Sequence, residues 1–195
     1  AKVRVIEVHE NVFNTNNQEA DALRKRLKDK KVTMINVMSS PGSGKTTLLS
    51  HAINEIKDDY KVGVMDVDIE TSLDAQKVAD FTGVPSIQIH NGGLCHIDAE
   101  MTTRAVDEFG VDDFDFLFLE NIGNLVCPAE FDTGASKNAM ILSVPEGDDK
   151  PLKYPLMFSI ADVLLINKMD VINYFDFNLE ACIERVKKLN PNIEI

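Results

Sequence analysis

An apolar run at 33–39, TMINVMS, empties into the small-residue loop SPGSG, and at Lys45 the chain resumes with the spacing of a buried helix face, KTTLLSHAINEI. A strand that turns through glycines straight into a helix opens a βαβ unit, because the helix must lie back across a sheet whose next strand runs parallel to the first. The same alternation continues downstream. KVGVMDV (61–67) precedes the helical pattern SLDAQKVADF, VPSIQIH (84–90) precedes another at about 98–109, and FDFLFLE (114–120), AMILSV (139–144) and DVLLINK (162–168) follow. A last helix at about 176–189 points toward a strand at IEI. The prediction is an α/β fold: a mostly parallel sheet with helices on both faces, formed by one domain over 1–195 with a helical extension at 1–31.

Composition narrows the class. Hydrophobic residues make up 44% and charged residues 27%, which suits an ordinary globular chain of 195 residues. No apolar run approaches the roughly 20 residues of a membrane helix, so no membrane association is expected. The start, AKVRVIEVHENVFNTNN, lacks a secretory apolar core, and the three cysteines suit a reducing compartment, so the expected location is the cytoplasm. A net charge of -12 argues against a general nucleic-acid binder. The one basic cluster, LRKRLKDKK at 23–31, has Leu23 and Leu27 on one face and fits a solvated amphipathic helix.

The loop after the first strand nearly matches G-x-x-x-x-G-K-[ST], with Gly44, Lys45 and Thr46 in the last three places and Ser39 in place of the first glycine. Such a P-loop gathers backbone amides around phosphates at a helix N-terminus, so Gly42, Ser43, Gly44, Lys45, Thr46 and Thr47 form the expected cradle. Lys45 is expected on the outer phosphates and the Thr46 hydroxyl on magnesium. In INKMD, the residues Asn167, Lys168 and Asp170 form the N-K-x-D arrangement that resembles the guanine-recognition element of GTPases. A carboxylate at Asp170 accepts both the ring N–H and the exocyclic amine of guanine, which adenine cannot offer. The nucleotide is therefore expected to be GTP.

Between these motifs Glu120 ends an apolar strand, and Gly123 could offer its amide to the terminal phosphate. The stretch DVDIETSLDAQ supplies Asp66, Asp68, Glu70 and Asp74, too many carboxylates for all to be catalytic. Asp68 and Asp74 are the choices for magnesium or water positioning, with Glu120 in support; with Lys45 they complete the candidate catalytic set. Beside them stand metal-ligand types: Cys95 next to His96, and Cys127 seven residues after Glu120. Three such ligands leave one tetrahedral position open and suit nickel or zinc. The other reading is that both cysteines are small buried residues, although Pro128 and the flanking glycines mark loops. Cys182 lies on the stripe Leu179, Cys182, Ile183, Val186 and reads as core, while His9, His51 and His90 have no ligand partners at suggestive spacing.

Taken together, SSPGSGKTTLL, CHIDAEM, ENIGNLVCPAEFDTG, EGDDKPLKYP and INKMD resemble the HypB family, the nickel-incorporation GTPases of hydrogenase maturation, from about residue 32 onward. The resemblance implies a metal-binding GTPase that couples GTP binding and hydrolysis to nickel delivery to a [NiFe]-hydrogenase large-subunit precursor. It implies a nucleotide-dependent homodimer, a companion nickel-maturation protein, and metal on Cys95, His96 and Cys127. Lys150 or Lys153 is a candidate to reach a nucleotide across that dimer. With no arginine placed in these motifs, slow turnover is expected. Two departures stand out: neither the N-terminal cysteine cluster nor the histidine-rich stretch of some members occurs here, and the sequence ends at NPNIEI, before the second base-contacting loop such GTPases add. The alternatives are a urease-type nickel-insertion GTPase, whose metal signature joins Cys, Pro and His in one run, and a metal-binding module with a vestigial nucleotide loop.

Overall fold

The computed structural model describes residues 9–68 and 73–195, with the side chains of 13–68 and 75–195. Six strands, β1 (Thr33–Ser39), β2 (Val62–Val67), β3 (Ser86–Ile89), β4 (Phe116–Glu120), β5 (Lys137–Ser143) and β6 (Val163–Asn167), form one sheet in the order β3-β2-β4-β1-β5-β6. Every pairing is parallel. The helices that connect them are α1 (His9–Asp29), α2 (Lys45–Ile56), α3 (Leu73–Thr82), α4 (Ala99–Phe109), α5 (Cys127–Glu130), α6 (Lys150–Lys153), α7 (Pro155–Ile160) and α8 (Leu179–Leu189).

Strand alternation sends successive side chains to opposite faces and so divides the core. Val37, Val64, Phe118 and Ile141 point to one face, where Leu49 and Ile53 of α2 and Val78 of α3 cover them. On the other face, Met34, Met65, Leu117 and Leu119 meet α1 and α4, and Met38, Met140 and Leu142 meet α7 and α8. Register then lines up the carboxyl ends of the strands. Glu120 lies opposite both Val37 and Asp66, and Asn167 lies opposite Ser143. Polar ends are thereby gathered along the edge where parallel sheets present ligand groups.

Most predicted elements appear within two or three residues of their expected limits; β1 and α2 coincide with 33–39 and 45–56. The basic cluster belongs to a longer helix than its own nine residues suggested. In α1, Leu23 and Leu27 are buried beneath the sheet, while Arg26 and, just past the helix, Lys30 pair with Asp107 and Asp112 at 2.6 and 2.8 Å. The strand expected at IEI is a single parallel bridge between Glu194 and Val163. Helices α5, α6 and α7 were not predicted; each carries proline in its first turn and spans at most six residues, too few to display a helical period.

Because Leu27 is fully buried in the cluster that joins α1 to β1 and β4, Leu27→Ala is expected to lower unfolding free energy by about 2–5 kcal/mol. Urea denaturation measures it, and a loss below about 1 kcal/mol would show that α1 lies outside the cooperative core.

Candidate functional site

Two left-handed glycines shape the phosphate loop, Gly42 at φ 76° and Gly44 at φ 90°. Gly44 is also a close-approach position: a Cβ there would stand 2.6 Å from Asn167 Nδ2. That space is used, since the Asn167 amide donates to the Ser43 carbonyl at 2.9 Å, and Lys168, itself left-handed at φ 60°, donates through Nζ to the Gly42 carbonyl at 2.7 Å. Two residues of the expected base-recognition element therefore brace the phosphate loop. Asp170 stands exposed two residues after Lys168. The loop lines a cavity of about 470 Å³, with Asp66, Asp68, Lys77 and the Glu120–Gly123 segment opposite. Within it the buried Ser43 hydroxyl has no hydrogen-bond partner, and α2 begins with its positive end at Lys45. A convergent loop, an unsatisfied hydroxyl and a helix N-terminus fit an anionic phosphate ligand.

Hard oxygen donors collect on one side of this cavity. The Thr46 hydroxyl donates to Glu120 Oε1 at 2.5 Å, Asp66 is buried beside Glu120 in the sheet, and Asp68 lines the wall. Such donors suit a magnesium ion that keeps several of its waters, since among the described residues no three acidic donors converge on one point. The Lys45 ammonium donates to the Asn121 carbonyl. Glu70 lies outside the described residues, and so does the side chain of Asp74, whose backbone is in the first turn of α3. Lys77 was not anticipated, since one lysine on an amphipathic helix carries no distinguishing signal. Asn36 was also missed, although an asparagine inside an apolar parallel strand is a usable clue. Its amide accepts from Asn121 Nδ2 at 2.9 Å and donates to Asn138 at 3.0 Å, a buried relay across three adjacent strands.

From Glu120 the chain runs directly to Cys127, one of the candidate metal ligands. The Asn121 amide donates to the Val37 carbonyl at 3.0 Å and the Asn124 amide to the Ser39 carbonyl at 2.9 Å, while a Cβ at Gly123 would come within 3.2 Å of Pro41. Asn124 Oδ1 then accepts from the amides of Val126 (2.8 Å) and Cys127 (3.2 Å), which launches α5. Cys127 is half-buried and Cys95 exposed. A hydrogen bond with Cys95 is the main influence that holds the Cys127 thiol above the ordinary thiol range, followed by burial and then by the charges of Cys95 and Glu130.

Cys95 Sγ also stands 3.8 Å from His96 Nδ1, and the His96 ring stacks on Phe131 with centroids 3.7 Å apart. Asn91 closes the loop behind them, donating to the carbonyls of Leu94 and His96 at 2.8 Å each. The structure thus makes Cys95 a neighbour of both His96 and Cys127. Among the described residues, however, no three His, Cys, Asp or Glu donors converge as a metal-holding group.

The remaining sequence candidates lie elsewhere. Cys182 is fully buried in α8, where burial chiefly pushes its thiol up to about 11. His51 meets Phe81 edge-on, His90 is exposed, and the side chain of His9 lies outside the described residues. Lys150 sits 5.9 Å over the Tyr154 ring and Lys153 pairs with Asp149 at 2.7 Å. No helix among the described residues is long and apolar enough to cross a membrane.

Residues 33–195 match the family described as CobW/HypB/UreG, nucleotide-binding domain. The hydrogenase maturation factor HypB of Escherichia coli K12 is 45% identical over 192 residues, covering 98% of this chain and 66% of that relative. The hydrogenase/urease maturation factor HypB of Helicobacter hepaticus is 42% identical over 194 residues, covering 97% and 79%. The chain thus spans about two thirds of the length of the E. coli relative. Among solved structures, Helicobacter pylori HypB in complex with nickel superposes with a TM-score of 0.85 at 41% identity, covering 93% of this chain and 85% of that one. Archaeoglobus fulgidus HypB gives 0.85 at 34%, covering 93% and 88%. The GDP complex of the signal recognition particle 54 kDa protein from Aeropyrum pernix, at 0.61 and 12% over 90% of this chain and 45% of that one, shares the fold. With its phosphate loop, its parallel sheet and these relatives, the chain belongs to the CobW/HypB/UreG family of nucleotide-binding domains, among its HypB members.

Proposed function

We propose that this chain is a metal-coupled GTPase that binds GTP and magnesium, hydrolyses GTP slowly to GDP and phosphate, and uses that cycle to deliver nickel to the large-subunit precursor of a [NiFe]-hydrogenase. One observation carries the proposal. The segment from Glu120 to Cys127 is fastened to the phosphate loop through Thr46 and Lys45 and to β1 through Val37 and Ser39, and it ends on a cysteine whose thiol is influenced by Cys95. In this arrangement the Lys45 ammonium donates to the Asn121 carbonyl. Phosphate oxygens are stronger, charged acceptors, so a bound triphosphate draws Lys45 away and frees Asn121. The segment then settles in a new position against the terminal phosphate, with Gly123 at its closest approach to the loop. Cys127 moves with it.

Thr46, Glu120, Asp66 and Asp68 are the residues that would hold magnesium, which neutralises charge on the phosphate oxygens. Asp170 reads the base, Asn167 and Lys168 keep the loop in shape, and Asp74 is assigned to water positioning. Nickel is the cargo, on Cys95, His96 and Cys127, with zinc as a competing occupant. The unit is a nucleotide-dependent homodimer in the cytoplasm that works with a companion nickel-maturation protein, and Lys150 or Lys153 is the candidate contact across the dimer. Relatives named for both hydrogenase and urease maturation favour a second client, urease, for the same cargo.

Three outcomes test this function. Nickel and zinc titrations followed by native mass measurement, with and without a non-hydrolysable GTP analogue, are expected to show that the analogue changes metal stoichiometry or assembly. Lys45→Ala should abolish that response, and metal binding indifferent to both nucleotide and Lys45 would leave only a metal module. Asp170→Asn replaces an acceptor of two guanine hydrogen bonds, so GTP affinity should fall about a hundredfold or more, with xanthosine triphosphate gaining relative to GTP by calorimetry. The cations lining the nucleotide cavity are Lys45 and Lys77, with no arginine among the described lining residues. Single-turnover phosphate release is therefore expected on the order of 10⁻³ s⁻¹ for the isolated chain, and a rate near 1 s⁻¹ would contradict it.

A further inference from the structure

Helix α1 reaches the two loops that carry the metal-ligand residues, from the side opposite the phosphate loop. Asn16, 6% exposed, donates through Nδ2 to the Asp132 carbonyl at 2.9 Å and accepts through Oδ1 from the Ala99 amide at 2.8 Å. Ala99 lies three residues after His96, and Asp132 five residues after Cys127. One carboxamide therefore spans the two loops. Three positions upstream on the same helix, the Phe13 ring meets Phe131 at 5.2 Å, and Phe131 lies parallel to the His96 ring, 3.7 Å away and 7° out of plane. Arg24, two turns further along α1, grips the Asp132 carboxylate at 2.6 and 2.8 Å and donates to the Ala135 carbonyl at 2.9 Å.

We propose that Asn16 and Phe13 are positioning residues of the metal site: Asn16 sets the spacing between the Cys95–His96 loop and the Cys127 segment, and Phe13, through Phe131, sets the plane of the His96 ring. This rests on the assignment of Cys95, His96 and Cys127 to the cargo metal. The physical reason is geometric. A carboxamide that donates to one loop and accepts from the other loses a bond if either shifts by about an ångström, and both partners are backbone groups with no freedom to follow. A face-stacked ring, in turn, rotates out of plane only by giving up its contact area. Partners in this position decide where a ligating imidazole points, and losing them typically weakens metal binding 10–100-fold.

The same contacts also help hold the fold, so the test must read the metal's surroundings as well as stability. Nickel(II) titration of the chain, followed by the thiolate-to-nickel charge-transfer absorption, is compared for wild type, Asn16→Ala, Phe13→Leu and Cys95→Ser, with fluorescent GTP-analogue affinity as the control for an intact nucleotide site. Asn16→Ala is expected to weaken nickel about tenfold or more and to alter the charge-transfer band, with nucleotide affinity within about twofold of wild type. Phe13→Leu, which leaves both Asn16 hydrogen bonds in place, should alter the band in the same direction with a smaller loss of affinity. Wild-type affinity and spectrum in Asn16→Ala, or in Phe13→Leu where Asn16→Ala does not fold, would overturn the positioning role. Nickel binding that survives Cys95→Ser unchanged would instead bring down the metal assignment itself.

Discussion

The contact between the Lys45 ammonium and the Asn121 carbonyl, with Thr46 on Glu120 beside it, is the constraint on which the remainder turns. A phosphate loop concentrates positive charge, and in this conformation part of it is answered by the segment that leaves β4. A carbonyl competes poorly with phosphate oxygens for an ammonium, so in the proposed cycle a nucleotide takes Lys45 from Asn121. The resulting exchange of partners is local, involves a single side chain, and acts on backbone that continues to Cys127 within six residues of Asn121.

That exchange is informative only if the surroundings hold still, and the sheet provides this. Asn36, Asn121 and Asn138 join β4, β1 and β5 through side-chain amides that are buried or nearly so, and Asn121 Oδ1 also accepts from the Ile122 amide. Buried amides of this kind are costly unless satisfied, and here they satisfy one another, so a register slip of one residue would strand all of them. On the far side, Asn167 and Lys168 hold the carbonyls of Ser43 and Gly42. Between these anchors the stretch around Gly123 packs closely against Pro41, so a change at the phosphate loop is felt there directly.

Much of this was legible in the sequence where one physical period governs many residues. The passage from an apolar run to a helical spacing across SPGSG placed β1 and α2, and chain order with strand ends brought Glu120 and Asn167 to the phosphate loop. Legibility failed where a few residues act across long separations. Asn16 meets partners 83 and 116 positions away, and no spacing in the chain announces it. Asn167 and Lys168 were read as part of the base-recognition element; that they also brace the phosphate loop, a consequence of β6 ending beside Gly44, was not announced by the motif. The helices α5 and α6 have four residues each, and the terminal IEI is too short to add more than one bridge.

The arrangement of the three metal-ligand residues follows from the same division between fixed and responsive parts. Cys95 and His96 sit in a loop pinned by Asn91 from behind and continued into α4, whose first amide is held by Asn16. Cys127 is held downstream by contacts of α1 with Asp132, while its upstream neighbours rest on the phosphate loop. A metal that takes both sulfurs and the imidazole must bring Cys127 and His96 to a common point around Cys95 and must displace the proton of the Cys127 thiol, which Cys95 helps to hold above the ordinary thiol range. The pinned loop cannot supply that movement, so it falls to Cys127. In the proposed cycle its upstream tether is the segment that responds when Lys45 changes partner, so the occupancy of the phosphate loop would govern how closely the three candidate ligands approach one another.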